Sequence, residues 1–426
     1  MRTFILLFFW IFGRVLPSPT YGSMSPSRFP QPEFDTGYQA KAISQVIWRS
    51  EFWAPFDVLV LLAVLTLTTW FLHYRRSRAG ITGVSIFSLL YFGFFRLGCV
   101  CPIGAIQNVS LGLSDTSFIV PIPVIAFFSL PLLFALFYGR VFCGGACPLG
   151  AIQDLVLISP VKIPRFLNAA LSPLPWLYLG LAILLAATNT TFIICRFDPF
   201  VPIFRLSGPV PMVTLGIGFL ILGTVIGRPY CRFLCPYGAL LGLFSRTSRR
   251  FVSTTPTECI SCALCAEACP YGSIDPPAHG HRENRSRAWL MLFTLPIVGC
   301  LLGFGVSPTL SLLHDDVYLA TRILSDEQDL TDRVRSFETS NQSTEQLALR
   351  VRNVQSKFRF GSTILGGFLG MMILTGCLWA MRARRSSRYT VEPASCLSCA
   401  RCYVSCPIPP VGARSTRSGV STSGEA

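Results

Sequence analysis

Eight of the seventeen cysteines form two runs with the same spacing, and each run ends in Cys-Pro. The spacing is Cys-x-x-Cys-x-x-Cys-x-x-x-Cys-Pro, and it occurs at Cys259, Cys262, Cys265 and Cys269 and again at Cys396, Cys399, Cys402 and Cys406. Thiolates are soft ligands, and such short gaps let one loop surround an iron–sulfur cubane. The runs therefore predict two [4Fe–4S] clusters. A structural zinc site is the alternative, although zinc rarely needs the third gap or the trailing proline.

The two runs are expected to share their ligands. In runs of this type, three cysteines bind one cluster and the fourth reaches across to the other cluster. The pattern predicts two ligand sets, one of Cys259, Cys262, Cys265 and Cys406 and one of Cys396, Cys399, Cys402 and Cys269.

A different cysteine motif, Gly-Arg-x-x-Cys-x-x-x-Cys-Pro-x-Gly-Ala, occurs twice, from Gly139 and from Gly227. Each copy closes an apolar stretch and precedes a helical stretch, so the two halves have like topology. Parallel repeats of this kind are related by an axis along the membrane normal. Four thiols would converge there as ligands of one further cluster, namely Cys143, Cys147, Cys231 and Cys235. Packing between helices, which is common for buried free cysteines, is the alternative.

A third copy of the motif is incomplete. The sequence from Cys101 to Gln107 closely resembles the sequence from Cys147 to Gln153, but its first cysteine is Cys99, so the motif is Cys-x-Cys. Cys195 stands at the matching place in the second half. Cys99, Cys101 and Cys195 would bind an outer cofactor or form a disulfide, since that side of a membrane is oxidising. Cys300 and Cys377 lie inside apolar stretches and are interpreted as core residues, with a role as a fourth outer ligand as the alternative for Cys300.

The composition predicts a membrane protein. Of the 426 residues, 51% are hydrophobic and only 13% are charged, whereas a soluble domain has about 25% charged residues. We expect an all-α polytopic bundle with a parallel internal repeat and a small α+β ferredoxin-like module. Its seven predicted spans are 55–73, 81–96, 117–138, 171–188, 210–227, 288–307 and 361–381.

Basic residues orient these spans. The net charge of +15 comes from clusters beside apolar stretches, so we interpret it as a topology signal rather than as nucleic-acid binding. The clusters follow spans one, three, five and seven: Arg75, Arg76 and Arg78; Lys162 and Arg165; Arg246, Arg249 and Arg250; Arg382, Arg384, Arg385 and Arg388. All lie on one side if the spans alternate, and that side is the cytoplasm by the positive-inside rule. Both ferredoxin runs face it too.

The predicted domain organisation follows from these signals. It comprises a signal peptide or N-terminal anchor (1–23), an extracytoplasmic segment (24–54), the membrane domain with both motif copies (55–250), a first ferredoxin segment (251–287), two spans with an extracytoplasmic loop at 308–360 (288–381), a second ferredoxin segment (382–412) and a disordered tail (413–426).

These residues resemble a known family. The paired Cys-x-x-x-Cys-Pro motifs and the two ferredoxin runs are similar to those of the NosR/NapH-type membrane 4Fe-4S ferredoxins, which include YccM-like electron-transport proteins. The resemblance covers about residues 85–275 and, by motif, 390–407. It implies electron transfer between quinol or cytoplasmic donors and extracytoplasmic reductases. NosR-type members also carry FMN on a threonine of an outer domain; no matching motif occurs here, so no FMN site is expected in this chain.

The sequence therefore predicts an electron-transfer component in the cytoplasmic membrane of a bacterium. It contains no acid–base pair, nucleophile–base set or phosphate loop, so no catalytic residue is assigned and a stand-alone enzyme is not expected. The expected partners are membrane lipid and a reductase, cytochrome or flavoprotein subunit, with a quinone as a further candidate and no nucleic acid. An alternative is an assembly factor that reduces a metal or thiol centre of a respiratory enzyme.

The predicted orientation can be tested with reporter fusions. A reporter fused after Arg250 or after Arg388 should read cytoplasmic, and one fused near Gln342 should read extracytoplasmic, because two spans lie between the ferredoxin segments. Finding positions 250 and 342 on the same face would contradict this topology.

Overall fold

The computed structural model describes residues 53–98, 102–116, 118–161, 163–253, 259–277, 285–324, 337, 343–381 and 388–408. The predicted signal peptide, nearly all of the segment 24–54 and the tail 413–426 lie outside the described residues. So do Cys99 and Cys101.

The described residues are mostly helical. The α-helices, numbered in chain order, are α1 (Trp53–His73), α2 (Arg78–Ser88), α3 (Pro102–Ser114), α4 (Ile122–Tyr138), α5 (Pro148–Leu155), α6 (Arg165–Leu171), α7 (Leu174–Ala187), α8 (Ile193–Arg196), α9 (Val201–Arg205), α10 (Val210–Gly223), α11 (Pro229–Phe233), α12 (Pro236–Ser245), α13 (Leu264–Glu267), α14 (Arg285–Ser311), α15 (Asp315–Leu324), α16 (Thr344–Met381) and α17 (Arg401–Ser405). There are two π-helical segments. Leu89–Phe95 directly follows α2, and Phe142–Ala146 lies just before α5.

Cys-Pro steps begin three of these helices. Pro102, Pro148 and Pro236 are the first residues of α3, α5 and α12. Proline suits this position because the first helical N–H has no intrahelical acceptor, and because the ring fixes φ near the helical value. Cys147 and Cys235 are extended, and a new helix starts at the proline that follows each of them.

Within the described residues, four helices are long and apolar enough to cross a membrane, namely Trp53–His73, Arg78–Phe95, Thr294–Ser311 and Thr344–Gly376. The other three predicted spans are apolar helices of 17, 14 and 14 residues: α4, α7 and α10. They fall short of the roughly 20 residues that a straight span needs. The described residues thus contain four candidate membrane spans, and the seven-span topology stays a prediction.

The main core lies where the two halves of the membrane domain meet. Helix α3 packs against α4 and α7, and α12 packs against the same two helices. The second π-helical segment packs against α1 and α2. The four cysteines of the repeated motif are part of this core, as are several cysteines of the ferredoxin runs.

A short antiparallel ladder joins the two ferredoxin segments. Strand β1 (Ile274–Asp275) pairs with β2 (Thr390–Val391), and Ile274 lies opposite Val391. These strands come directly after the first run and before the second run. The ladder therefore brings together two segments that α14, α15 and α16 separate in sequence.

Glycines allow close contact between α14 and α16. A Cβ atom on Gly299 would overlap the backbone of Gly366, and one on Gly303 would overlap the backbone of Ser362. Small residues spaced four apart let membrane helices approach closely. The seventh predicted span is one continuous helix that begins inside the loop predicted at 308–360.

The close contact between α14 and α16 predicts that a larger side chain destabilises the protein at some glycines and not at others. Gly303→Leu should destabilise the protein by about 1–3 kcal/mol because the added atoms have no room, and thermal unfolding in detergent would measure the loss. Gly305→Leu is the matched control, since a Cβ on Gly305 meets nothing within 4 Å. Equal stability of the two variants would show that the helices do not pack through Gly303.

Candidate iron–sulfur sites

A buried arginine from each copy of the repeated motif packs against a glycine of the other copy. Arg140 of the first copy lies against Gly238 of the second, where a Cβ would be 3.1 Å from Nη2. Reciprocally, Arg228 lies against Gly150 of the first copy, where a Cβ would be 3.1 Å from Nη1. The motif glycines are thus explained by the space that each guanidinium fills. The reciprocity fits two like halves that face one another.

The motif backbones also match atom by atom. A Cβ on Gly150 would lie 3.2 Å from the carbonyl oxygen of Cys143, and one on Gly238 would lie 3.3 Å from that of Cys231. The N–H of Gly238 donates to Cys235 Sγ at 3.3 Å, so Cys235 caps its own helix through sulfur. Cys147 occupies the same N-cap position before α5.

Side chains supply the first cysteine of each copy with a donor. Gln153 Nε2 donates to Cys231 Sγ at 3.3 Å, and Arg140 Nη2 lies 3.7 Å from Cys143 Sγ. The guanidinium of Arg228 donates to the carbonyl oxygen of Cys143. Hydrogen bonds to the ligating sulfurs are one of the factors that set the potential of an iron–sulfur centre.

The four thiols are buried side by side. Burial raises the pKa of Cys147 and of Cys235 well above the usual range of a thiol, and the neighbouring sulfurs raise it further. Burial also raises the pKa of Cys231 to about 12, although Arg228 opposes this. Cys147, Cys231 and Cys235 therefore ionise together only when a cationic centre binds them, and metal binding then releases their protons.

Unsatisfied donors surround this set. Among the described residues, Arg228 Nε and Nη2 and Arg140 Nε are buried without a hydrogen-bond partner. Two buried guanidiniums offset the negative charge of four thiolates, so the donor set fits an anionic metal–sulfur group. No three His, Cys, Asp or Glu side chains in the described ranges are arranged around a single metal ion. A cubane binds each thiolate to a different iron, so this arrangement fits a cluster better than one zinc ion.

The two ferredoxin loops have the same backbone conformation. Ser261 and Ala263 in the first run, and Ser398 and Ala400 in the second, all have φ between 53° and 63°. Residues other than glycine rarely adopt this left-handed conformation, and they do so mainly at functional sites. In each loop, two residues in this conformation stand on either side of a cysteine, and this arrangement turns successive backbone N–H groups inward. The N–H groups then create a concave site for an anionic group.

The fourth cysteine of the first run lies with the second run. Cys269, Cys396, Cys399 and Cys402 line one small cavity. Burial raises the pKa of Cys396 to about 12, and Cys399 and Cys269 raise it further. This grouping is the one that the crossed pattern predicts. In the other set, Cys262 is exposed, while Cys259, Cys265 and Cys406 are partly buried.

The second ferredoxin loop rests directly on the repeated motif. A Cβ on Gly144 would lie 2.6 Å from the carbonyl oxygen of Ser398, so only glycine allows this approach. Arg140 Nη1 donates to the carbonyl oxygen of Ala394 at 2.9 Å. The contact places the set around Cys399 next to the set around Cys143.

Asp154 anchors this contact. Its carboxylate accepts from Arg78 and lies 3.7 Å from Arg228 and 3.4 Å from Arg401. Arg78 also donates to the carbonyl oxygen of Cys399 at 2.6 Å. Burial would raise the pKa of Asp154, but Arg228 and Arg78 together hold it below its usual value. Asp154 therefore stays ionised and links α5 to the second run.

Sequence reasoning missed several of these residues. Arg140 and Arg228 were noted only as flanking the motif, and Asp154 and Gln153 were not assigned a role. The repetition of Gly-Arg and Pro-x-Gly was the available signal. Among the other predicted residues, Cys195 lies beside Gly104, and Cys300 lies at the α14–α16 interface beside Gly367.

Two family models match the chain, and both are described as a 4Fe-4S binding domain. One matches twice, at residues 120–165 and 208–254, and covers both copies of the Gly-Arg motif. The other matches residues 252–275, which contain the first ferredoxin run. These matches confirm the prediction of a 4Fe-4S protein.

Curated relatives support the same assignment. The chain is 31% identical over 184 residues to the uncharacterized protein MJ0750 of Methanocaldococcus jannaschii, which is 42% of this chain and 77% of that protein. It is 30% identical over 118 residues to "Putative electron transport protein YccM" of Escherichia coli, which is 25% of this chain and 33% of that protein. The predicted resemblance to YccM is confirmed, and it spans about a third of that protein. No solved structure matches the chain.

If the four motif cysteines bind one cluster, substitution of any of them should remove the same iron atoms. Cys147→Ser and Cys235→Ser should each lower the iron content by about one cluster, or four iron atoms, while the EPR signals of the ferredoxin clusters survive. The double variant should lose no more, because both thiols would bind one group. An unchanged iron content in the double variant would mean that these thiols only pack.

Proposed function

Because the chain belongs to the same family as the uncharacterized protein MJ0750 and contains 4Fe-4S binding domains, we propose that it transfers electrons through several iron–sulfur clusters in a membrane. Electrons would pass between a cytoplasmic or quinol donor and an acceptor in the membrane or on its outer side. The observation that carries this proposal is the direct contact between the second ferredoxin loop and the repeated motif.

Three ligand sets succeed one another from the surface inward. The set of Cys259, Cys262, Cys265 and Cys406 is partly exposed and would exchange electrons with a partner protein. The set of Cys269, Cys396, Cys399 and Cys402 comes next. The third set is Cys143, Cys147, Cys231 and Cys235, all of which are buried.

Each bound [4Fe–4S] cluster would supply one-electron redox chemistry, for which the chain provides ligands, burial and electrostatics. Arg140 bridges the second and third sets, since its guanidinium reaches both the Ala394 carbonyl and Cys143. Arg228 also bridges these two sets, since its guanidinium donates to the Cys143 carbonyl oxygen and lies 3.7 Å from the carboxylate of Asp154. These contacts hold the two sets next to each other.

The proposed topology has seven spans, with both ferredoxin segments in the cytoplasm. Helices α4, α7 and α10 would cross as short spans, which a bilayer accommodates by becoming thinner locally. The exposed first set would then face cytoplasmic donors. A reductase, a cytochrome or a flavoprotein subunit would be the partner on the far side.

Electron transfer across the membrane is testable in vesicles. The anaerobically purified protein, placed in liposomes with ferricyanide inside, should reduce this oxidant when dithionite, which does not cross the membrane, is added outside. Cys147→Ser and Cys235→Ser should lower the rate to that of protein-free liposomes. Cys300→Ser, outside every ligand set, is the control and should keep the rate.

Two results would contradict the proposal. One is an equal rate for the wild-type protein and protein-free liposomes, when the clusters are present by iron content. The other is an unchanged rate in the Cys147→Ser variant. Copurification with an apo-enzyme, rather than with a reductase or cytochrome, would favour an assembly factor instead.

A further inference from the structure

We propose that Tyr271 is a further cofactor-contacting residue, whose hydroxyl donates a hydrogen bond to the cluster of the second ligand set and raises its reduction potential. This ligand set consists of Cys269, Cys396, Cys399 and Cys402. The inference rests on the presence of that cluster in the proposed function. It goes further by assigning a residue that sets the potential of the cluster without binding iron.

Tyr271 belongs to the wall of this cluster site. It follows the last Cys-Pro step of the first ferredoxin run, in the tetrapeptide Cys269-Pro270-Tyr271-Gly272. Its side chain lines the same small cavity as the four cysteines of the second set. Tyr271 is only 3% exposed, so its phenol is enclosed by protein on the side of the solvent.

The hydroxyl of Tyr271 has no hydrogen-bond partner among the described residues. A phenol keeps its proton at neutral pH and is therefore a donor. A buried hydroxyl that loses its bonds to water without a replacement costs about 1–3 kcal/mol. An acceptor bound in the cavity would remove this cost.

Two more unpaired donors line the same cavity. Ser273 Oγ and Arg401 Nε are also buried without a partner in the part of the chain that the structure describes. The backbone N–H of Ser273 already donates to Cys269 Sγ at 3.4 Å. Three side chains thus offer donors to one cavity that supplies them no acceptor. The sulfur atoms of a cluster accept hydrogen bonds, so a cluster fits this set of donors.

A second copy of the tetrapeptide provides an internal comparison. Tyr237 occupies the same position in Cys235-Pro236-Tyr237-Gly238 and is 1% exposed. Its hydroxyl donates to the carbonyl oxygen of Phe128 at 2.7 Å. The same local sequence therefore leaves the hydroxyl unpaired at Tyr271 and satisfies it with protein at Tyr237. The unpaired hydroxyl is a property of the ferredoxin site and not of the tetrapeptide.

Tyr271 also contacts the repeated motif. A Cβ on Gly227 would lie 3.0 Å from Cε1 of Tyr271, and Cε1 is bonded to the carbon that carries the hydroxyl. Arg228 and Cys399 both interact electrostatically with the phenol. The hydroxyl end of the ring thus lies where the second ligand set meets the motif that holds the third. The potential of the second set is one of the two that determine the driving force for transfer between them.

Removal of the hydroxyl should lower this potential. A reduced cluster carries one more negative charge than the oxidised cluster, so a hydrogen bond to its sulfur stabilises the reduced form more. In Tyr271→Phe, the ratio of reduced to oxidised cluster at a given solution potential should fall about fivefold to tenfold, as expected for one hydrogen bond. For a one-electron couple this is a shift of about 40–60 mV, since a factor of ten corresponds to 59 mV.

A redox titration of the anaerobically purified full chain, followed by EPR, measures this shift. Cys396→Ala removes a ligand of the second set and thereby identifies the EPR signal of that cluster. Tyr271→Phe should keep the iron content and move only the midpoint potential of this signal. Tyr237→Phe is the matched control, because it removes a hydroxyl that already has a protein acceptor, and it should keep every potential.

Three outcomes would overturn the inference. One is a wild-type potential of this signal in Tyr271→Phe, which would mean that the hydroxyl does not contact the cluster. Another is an equal shift in Tyr237→Phe, which would attribute the effect to a general change in the protein. Absence of the signal from the wild-type protein would contradict the second ligand set of the proposed function as well. The titration needs no electron transfer across a membrane, so the first two outcomes overturn the inference alone.

Discussion

The reciprocal packing of Arg140 and Arg228, each against the other motif copy, is the constraint on which the rest of the structure depends. A guanidinium stays charged at any physiological pH, so a buried one must find acceptors and counter-charges. Arg228 is 0% exposed and meets the Cys143 carbonyl oxygen and Asp154. Each arginine fills a space that exists because the opposite motif copy has glycine at that position. Four thiols are thereby held together with two cations beside them.

The same constraint positions the ferredoxin module. Asp154 binds Arg228 on one side and Arg78 and Arg401 on the other, so the second run is tied to the membrane motif through one carboxylate. The β1–β2 ladder then holds the first run against the second. Helices α14 and α16 connect the runs and pack through glycines. A long insertion between the runs is therefore compatible with one continuous set of sites.

The cysteine spacings predict a 4Fe-4S protein, which the family models confirm, because cluster chemistry restricts ligands to local sequence patterns. The Cys-Pro steps also located the starts of three helices. Span lengths were less predictable, because α4, α7 and α10 are shorter than the apolar stretches suggested. Proline directly precedes the first residue of each helix, and a glycine cap ends α4. The reciprocal packing of Arg140 and Arg228 and the role of Asp154 depend on contacts between residues that are distant in sequence. No local pattern encodes such contacts.

The central claim is that crossed ferredoxin ligands and the exchanged motif place successive iron–sulfur sites in contact. An iron-specific anomalous difference map, or a cryo-EM map, of the anaerobically purified protein would test it most directly. The account predicts separate iron-rich densities, one bound by Cys269 together with Cys396, Cys399 and Cys402, and one enclosed by Cys143, Cys147, Cys231 and Cys235. Density that joins Cys269 to Cys259, Cys262 and Cys265, with none between the motif copies, would contradict it.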